Sequence, residues 1–261
     1  MMFKSPAKIN LFLEIVGRCT HTNYHYIHSL FLPVYSLYDT IEIVENERYD
    51  IVYVDRNKLN IGSTISNDII AKTVTVLENK YGTIKKNYKL TITKNIPIGS
   101  GLGGGSSNAA IILQYLIEQN DLDVEKNDLI TVAKEIGADV PFFLLMRPMI
   151  CTGFGEIMHD PEFDIPKNLK IEIVTSDISV ITANVFQVFA NSNPTYTKYV
   201  PVQTFEDAIS RQNDLLNIAL QIEPRMQDFI DKIKQNDRNY LKVGMSGSGS
   251  ACFGITLSNN E

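Results

Sequence analysis

The segment Pro97–Asn108, PIGSGLGGGSSN, narrows the possible folds further than any other stretch of the chain. Five glycines (Gly99, Gly101, Gly103, Gly104 and Gly105) fall between an alternating, β-prone run at Tyr88–Thr93 and a strongly apolar helical run at Ala109–Ile117. Glycine reaches positive φ without steric cost and lets an anion approach the backbone N–H groups closely. The helix that follows adds unpaired N–H donors and the positive end of its dipole. Together these features describe a phosphate cradle. Ser106 and Ser107 stand at the helix start, where a hydroxyl can cap the helix, bind phosphate or touch Mg²⁺. A plain surface turn is the bland alternative, but it has no need of five glycines and their unfolded-state entropy.

Two familiar phosphate motifs fit poorly. A P-loop requires Gly-Lys-Ser/Thr after the glycines, and no lysine follows them here. Gly99, Gly101 and Gly104 match the dinucleotide fingerprint formally. That fingerprint opens a first βαβ unit with an acid at the end of the next strand. Here Asp121 and Asp123 lie in a polar loop before another helix.

Elsewhere, residues 8–16 read as a strand, as do Ile27–Val34, Thr40–Val44 and Ile51–Val54. Apolar spacing predicts a helix over Asn67–Tyr81, with Asn67 or Asp68 as its cap. Asp128–Ile136 reads as a helix ended by Gly137. Leu169–Val174 reads as a strand, Asn184–Ala190 and Pro224–Lys234 as helices. Leu241–Val243 leads into a second glycine-rich segment, MSGSGSACFGI. Mixed runs of strands and helices indicate an α+β protein. A division into two lobes is expected at residue 150, with no flexible linker marking it.

With 261 residues, 44% of them hydrophobic and 21% charged, the chain has the composition of a soluble globular protein. A net charge of −6 disfavours a nucleic-acid partner, since the only basic cluster is Lys85-Lys86. Cys19, Cys151 and Cys252 are too few and too scattered for a disulfide framework or a metal site. His21, His28 and His159 also lack metal-ligand spacing. The most apolar run, Pro141–Cys151, is too short to span a bilayer, and the N-terminus lacks the apolar stretch of a signal peptide. The expectation is a cytoplasmic protein, a monomer or weak homodimer, without a membrane or nucleic-acid partner.

The loop GLGGGSSNAA resembles the second signature of the GHMP kinases. PAKINLFL (Pro6–Leu13) resembles their first signature, and MSGSGSACF (Met245–Phe253) their third. The order matches as well. Within that superfamily, PAKINLFL, Tyr24-His25, GADVPFF (Gly137–Phe143) and Asn213-Asp214-Leu215 are similar to segments of the 4-diphosphocytidyl-2-C-methyl-D-erythritol kinases. One departure is Thr22-Asn23, where those kinases usually carry Asp-Gly. Asparagine tolerates left-handed backbone angles, so the turn can survive.

The resemblance implies a two-lobed GHMP kinase fold of the α+β class. Residues 1–150 would form the N-terminal ATP-binding lobe and 151–261 the C-terminal lobe, with the active site in the cleft between them. It implies transfer of the ATP γ-phosphoryl, with Mg²⁺, to a hydroxyl at the 2-position of a cytidine-diphosphate-bearing alcohol. A mevalonate or homoserine kinase is the alternative. Asp139 corresponds to the family's catalytic aspartate, and Lys8 to the lysine that holds it ionised and steadies the hydroxyl. Lys94, Pro97, Leu102 and the glycines and serines of the loop would serve the nucleotide phosphates, and Asn67 to Ile69 would border the adenine. The cytosine would lie between Tyr24 and Phe186, near Phe31, with His25 bonding its polar edge and Asn10 fixing the substrate beside Lys8. The third motif, Ser246–Ser250, would shape the site from behind.

Overall fold

The computed structural model describes residues 1–22, 24–55, 68–175, 178, 180–235 and 238–258. Asn23, part of the departing turn, and Asn67, expected beside the adenine, lie outside the described residues. The chain forms two compact units. The first comprises Met1–Ala7, Tyr35–Ile96 and Gly103–Met146, the second Lys8–Val34, Pro97–Leu102 and Arg147–Glu261. The last crossing, at residues 146–147, lies close to position 150. The earlier ones follow from two long strands and from the glycine-rich loop, each of which contributes to both units.

In the first unit, the C-terminal half of β2 (His25–Asn46) pairs antiparallel with β4 (Asn87–Thr93), Thr40 opposite Thr93 and Asn46 opposite Asn87. β3 (Asp50–Val54) lies parallel to β4. A parallel pair needs a crossover, and α1 (Ile69–Tyr81) stands between them in the chain. Asp68 caps α1, accepting from the N–H groups of Ile70 and Ala71, and Gly82 ends it at φ 87°. Further helices are α2 (Gly104–Gln119), α3 (Lys126–Ile136) and α4 (Val140–Leu145). α2 packs against α1, α3 and α4. Its buried face, Ala109, Ile112, Leu113 and Leu116, follows the helical repeat. Tyr115 meets both Tyr88 and Phe3 edge to face.

The second unit holds the greater part of β1 (Met2–Arg18), which pairs with β2. The N-terminal half of β2 pairs antiparallel with β5 (Met149–Thr152), and β5 with β6 (Ile157–His159). A separate antiparallel sheet has the order β7-β9-β8, from β7 (Leu169–Val174), β8 (Lys242–Met245) and β9 (Cys252–Leu257). α5 (Thr182–Asn191), α6 (Phe205–Ser210), α7 (Leu216–Ile222) and α8 (Met226–Gln235) complete the unit. α8 buries Met226, Ile230 and Ile233 at helical spacing and packs on β8 and β9. Ile230 and Ile233 form a cluster with Cys252, flanked by Val174, Leu216 and Val243.

Two differences from the sequence reading have plain causes. The strands expected at Ile27–Val34 and Thr40–Val44 are one strand, because residues 35–38 stay extended while their side chains are not buried. Alternation of burial is lost there without any loss of extension. Helix α2 begins at Gly104, inside the glycine run, rather than at Ala109. Glycine is a poor helix former, so propensity hides a first turn that tertiary packing supports.

Candidate active site

β1 and β2 position the first group of site residues, all in the second unit. The two-residue period of a strand puts Lys8, Asn10 and Phe12 on one face of β1. Lys8 is 3% exposed; its Nζ donates to Asn10 Oδ1 at 2.6 Å and lies 4.6 Å from the centre of the Phe31 ring. Asn10 Nδ2 donates to Ser29 Oγ at 3.0 Å. Both polar ends of Asn10 are thereby fixed, and Lys8 is steered by an amide and an aromatic face. The Lys8 backbone N–H donates to the Leu102 carbonyl at 3.0 Å, which joins the first motif directly to the glycine-rich loop.

The loop itself explains its glycines. Gly101 has φ 76°, and a Cβ there would stand 2.1 Å from the Ser246 carbonyl oxygen. Gly103 is the left-handed N-cap of α2, with no side chain capping the helix. Ser107 N donates to Gly103 O, the first bond of the helix, which leaves the N–H groups of Gly104, Gly105 and Ser106 without intrahelical acceptors. That is the donor set an anion needs, and it fits a nucleotide phosphate. Ser106 is partly accessible. Ser107 is 1% exposed and accepts a 2.7 Å hydrogen bond from Ser5 Oγ. Its hydroxyl therefore also ties α2 to β1. Pro97 O accepts from Ser100 Oγ at 2.7 Å and closes the turn at the start of the loop.

In the first unit, Lys94 lies beside the first turn of α2, its Nζ 3.3 Å from where a Gly104 Cβ would stand. It is ion-paired with Asp39, a fully buried carboxylate the sequence reading did not single out. Asp39 also accepts from Asn95 N at 2.7 Å, Ile96 N at 2.8 Å and Asn108 Nδ2 at 3.1 Å. A buried charge is tolerable when paired and hydrogen-bonded to this extent. Its signal was an acid in the mixed run from Tyr35 to Val44, which also holds Glu42, a pattern shared by many half-exposed strands.

Asp139 is the N-cap residue of α4, and its side chain does not cap that helix. The segment before it is held where Lys72 Nζ donates to Ile136 O at 2.8 Å. Gly137 packs close to Val140 and Ile69, and a Cβ there would lie 4.0 Å from Ser106 Oγ. The Asp139 turn and the first turn of α2 therefore face the same neighbourhood of the first unit.

Of the base-side candidates, His25 and Phe186 come together, again in the second unit, while Phe31 lies at Lys8. His25 is 6% exposed and stacks on Phe186 with ring centres 5.5 Å apart. Phe189 meets it edge-on and Tyr196 lies at 6.3 Å; neither was singled out from the sequence. The His25 Nε2 atom is buried with no hydrogen-bond partner. Burial, then the charge of Arg18, lowers the His25 pKa below its usual 6.5. A neutral imidazole suits a base edge. Tyr24 is 66% exposed and its ring contacts Phe154 rather than Phe186.

The third motif packs behind the loop. Ser246 Oγ donates to Gly101 O at 2.9 Å and accepts from Asn10 N at 3.2 Å. Ala251 N donates to Ser100 O at 3.0 Å. Among the described residues there is no group of three or more His, Cys, Asp or Glu side chains placed to hold a metal ion. No helix among them is long and apolar enough to cross a membrane.

Comparison with known proteins places the whole chain. Residues 68–147 match the model of the GHMP kinases N terminal domain, and residues 202–261 that of the GHMP kinases C terminal region. A 4-diphosphocytidyl-2-C-methyl-D-erythritol kinase of Ehrlichia ruminantium (strain Welgevonden) is 33% identical over 97% of this chain and 88% of its own length. One of Clostridioides difficile (strain 630) is 32% identical, over 97% of this chain and 85% of its own. A crystal structure of a 4-(cytidine 5'-diphospho)-2C-methyl-D-erythritol kinase superposes with a TM-score of 0.77 at 27% identity, covering 98% of this chain and 90% of that one. Three ordered motifs, a shared fold and full-length similarity lead to one conclusion: the chain belongs to the 4-diphosphocytidyl-2-C-methyl-D-erythritol kinase family of the GHMP kinases.

Proposed function

We propose that this protein transfers the γ-phosphoryl group of ATP to the 2-hydroxyl of 4-diphosphocytidyl-2-C-methyl-D-erythritol. The observation that carries the reading is the backbone bond from Lys8 N to Leu102 O, which joins the candidate catalytic lysine to the phosphate loop. Phosphoryl transfer asks a protein chiefly for positioning and charge neutralisation. The N–H groups of Gly104, Gly105 and Ser106 hold the nucleotide phosphates, and Lys94 adds positive charge beside them. Charge neutralisation beyond that of these residues would come from Mg²⁺ carried with the nucleotide. Lys8, aimed by Asn10 and Phe31, steadies the acceptor hydroxyl. The Asp139 carboxylate either takes up the proton of that hydroxyl or orients the hydroxyl for attack by a hydrogen bond. His25 reads the polar edge of the cytosine, with Phe186 and Tyr24 supplying its aromatic surfaces. Stacking of a base on an aromatic ring contributes about 1–3 kcal/mol.

A coupled ADP-release assay with Mg-ATP and this alcohol, on wild type and Asp139→Asn, tests the proposal. Turnover that falls by about 100-fold or more in the variant is the expected result. A wild type that phosphorylates mevalonate or homoserine instead would overturn the substrate assignment.

A further inference from the structure

Asn213 has no part in the chemistry described above, yet every polar atom of its side chain is engaged. Its Nδ2 donates to Met245 O at 2.9 Å and to Gly247 O at 2.8 Å. Its Oδ1 accepts from Leu215 N at 2.9 Å. The backbone on either side is laced to β1, Leu13 N to Gln212 O at 3.1 Å and Asp214 N to Leu13 O at 2.8 Å. Asp214 Oδ2 takes the N–H of Ile15 at 2.7 Å and the hydroxyl of Thr197 at 2.8 Å. Asn213 thus stands on a rigid base.

The two carbonyls it holds flank Ser246, the residue that bonds both Asn10 N and Gly101 O. A primary amide provides two N–H donors from one atom, one for each carbonyl. A carboxylate of the same shape provides none, and a hydroxyl only one. The path from Asn213 through Ser246 to Gly101 consists entirely of directional bonds, so a change at its base alters where the phosphate loop sits. We propose that Asn213 is a positioning residue for the nucleoside triphosphate. Its amide holds the 245–247 loop so that Ser246 sets the Gly101 turn. This inference rests on the reading of Pro97–Ser107 as the nucleotide-phosphate loop.

Asn213→Asp is the sharpest probe, because it keeps size and shape while opposing a carboxylate to two carbonyl oxygens. At neutral to alkaline pH its KM for ATP rises by about tenfold or more, the equivalent of two lost hydrogen bonds. The KM for the alcohol and kcat move far less. Carbonyl oxygens raise the pKa of a carboxyl they face, and the protonated form regains one O–H donor. The ATP deficit relative to wild type therefore shrinks as pH falls. Ser246→Ala reproduces the ATP effect, and the double variant adds little to it. Hydrogen exchange on the intact chain gives a readout independent of activity: amides of 99–102 and 246–251 exchange faster in Asn213→Asp while distant amides do not. Equal loss toward both substrates, a deficit indifferent to pH, or full additivity with Ser246→Ala would overturn the proposal. So would unchanged exchange in both segments. If the wild type proves inactive with this substrate pair, the exchange result still decides the structural claim, and the failure belongs to the functional reading. If Asn213→Asp does not fold, the ATP-specific KM change in Ser246→Ala and its exchange pattern decide instead.

Discussion

The Ser246 hydroxyl donates to the Gly101 carbonyl at 2.9 Å, and the Ser246 carbonyl oxygen fills the space where a side chain at position 101 would begin. Residues 145 positions apart thereby hold the glycine-rich loop from both sides of one peptide. Gly101→Ala meets a clash with backbone and an unfavourable positive φ at once. Its expected cost is about 2 kcal/mol or more in stability, with a large rise in KM for ATP. Chemical denaturation and initial-rate kinetics on the same preparation measure both.

Asp39 collects Lys94, two backbone N–H groups and the Asn108 amide in a fully buried position. Asp39→Ala strands the Lys94 ammonium beside the first turn of α2 and leaves those donors unpaired. A loss of about 3–5 kcal/mol follows from breaking such a pair from one side. Asp39→Asn keeps a carbonyl acceptor and loses less. The urea midpoints of the two variants give the comparison.

His25 is neutral at pH 7, because burial and then Arg18 depress its pKa below 6.5. The unfolded chain takes up this proton at a higher pH than the folded chain does. The associated stability is therefore complete above pH 6.5 and is lost as pH falls through the lower folded value. Affinity for the cytidine-bearing substrate follows the same direction, since the protonated ring cannot accept a hydrogen bond. The KM for that substrate is expected to rise below the His25 pKa while KM for ATP does not. In His25→Gln that pH dependence disappears.

Cys19 lies in the turn between β1 and β2, its backbone N–H donating to Tyr24 O at 2.8 Å. Hydrogen bonds from the Thr22 side chain, the Thr22 and His21 backbone and the Tyr26 side chain lower its pKa to about 7. Burial pushes the Cys252 thiol up to about 12, and Cys151 is also buried. Iodoacetamide at neutral pH is expected to alkylate Cys19 alone. Peptide mass mapping reads the selectivity, and the labelling rate rises as pH passes through about 7.

Arg211 joins Glu14 at 3.0 Å and Asp207 at 3.0 Å, and Glu14 in turn meets His28 at 2.9 Å. The Arg211 and Glu14 side chains are only 9% and 12% exposed. Arg211→Met leaves the Glu14 carboxylate with too few partners and costs about 3 kcal/mol or more. Adding Glu14→Gln recovers part of that loss, as thermal or urea unfolding of the three variants will register.

The helix-forming and strand-forming runs, the glycine-rich loop and the order of the three motifs are legible in the amino-acid string alone. These are local properties. Five glycines before an apolar helix, or Ile70, Val74, Leu77 and Tyr81 at helical spacing, state their preference within a dozen residues. Which polar residues hold that loop in place becomes visible in the folded chain and not before. Asp39, Ser246 and Asn213 each act through partners 32 to 236 positions away, 55 in the case of Asp39 and Lys94. A serine in a glycine-rich turn, or an acid in an apolar strand, carries no local mark of such a partner. Long-range hydrogen bonds and buried ion pairs exist only once the backbone has brought their two ends together, and packing rather than propensity brings them there.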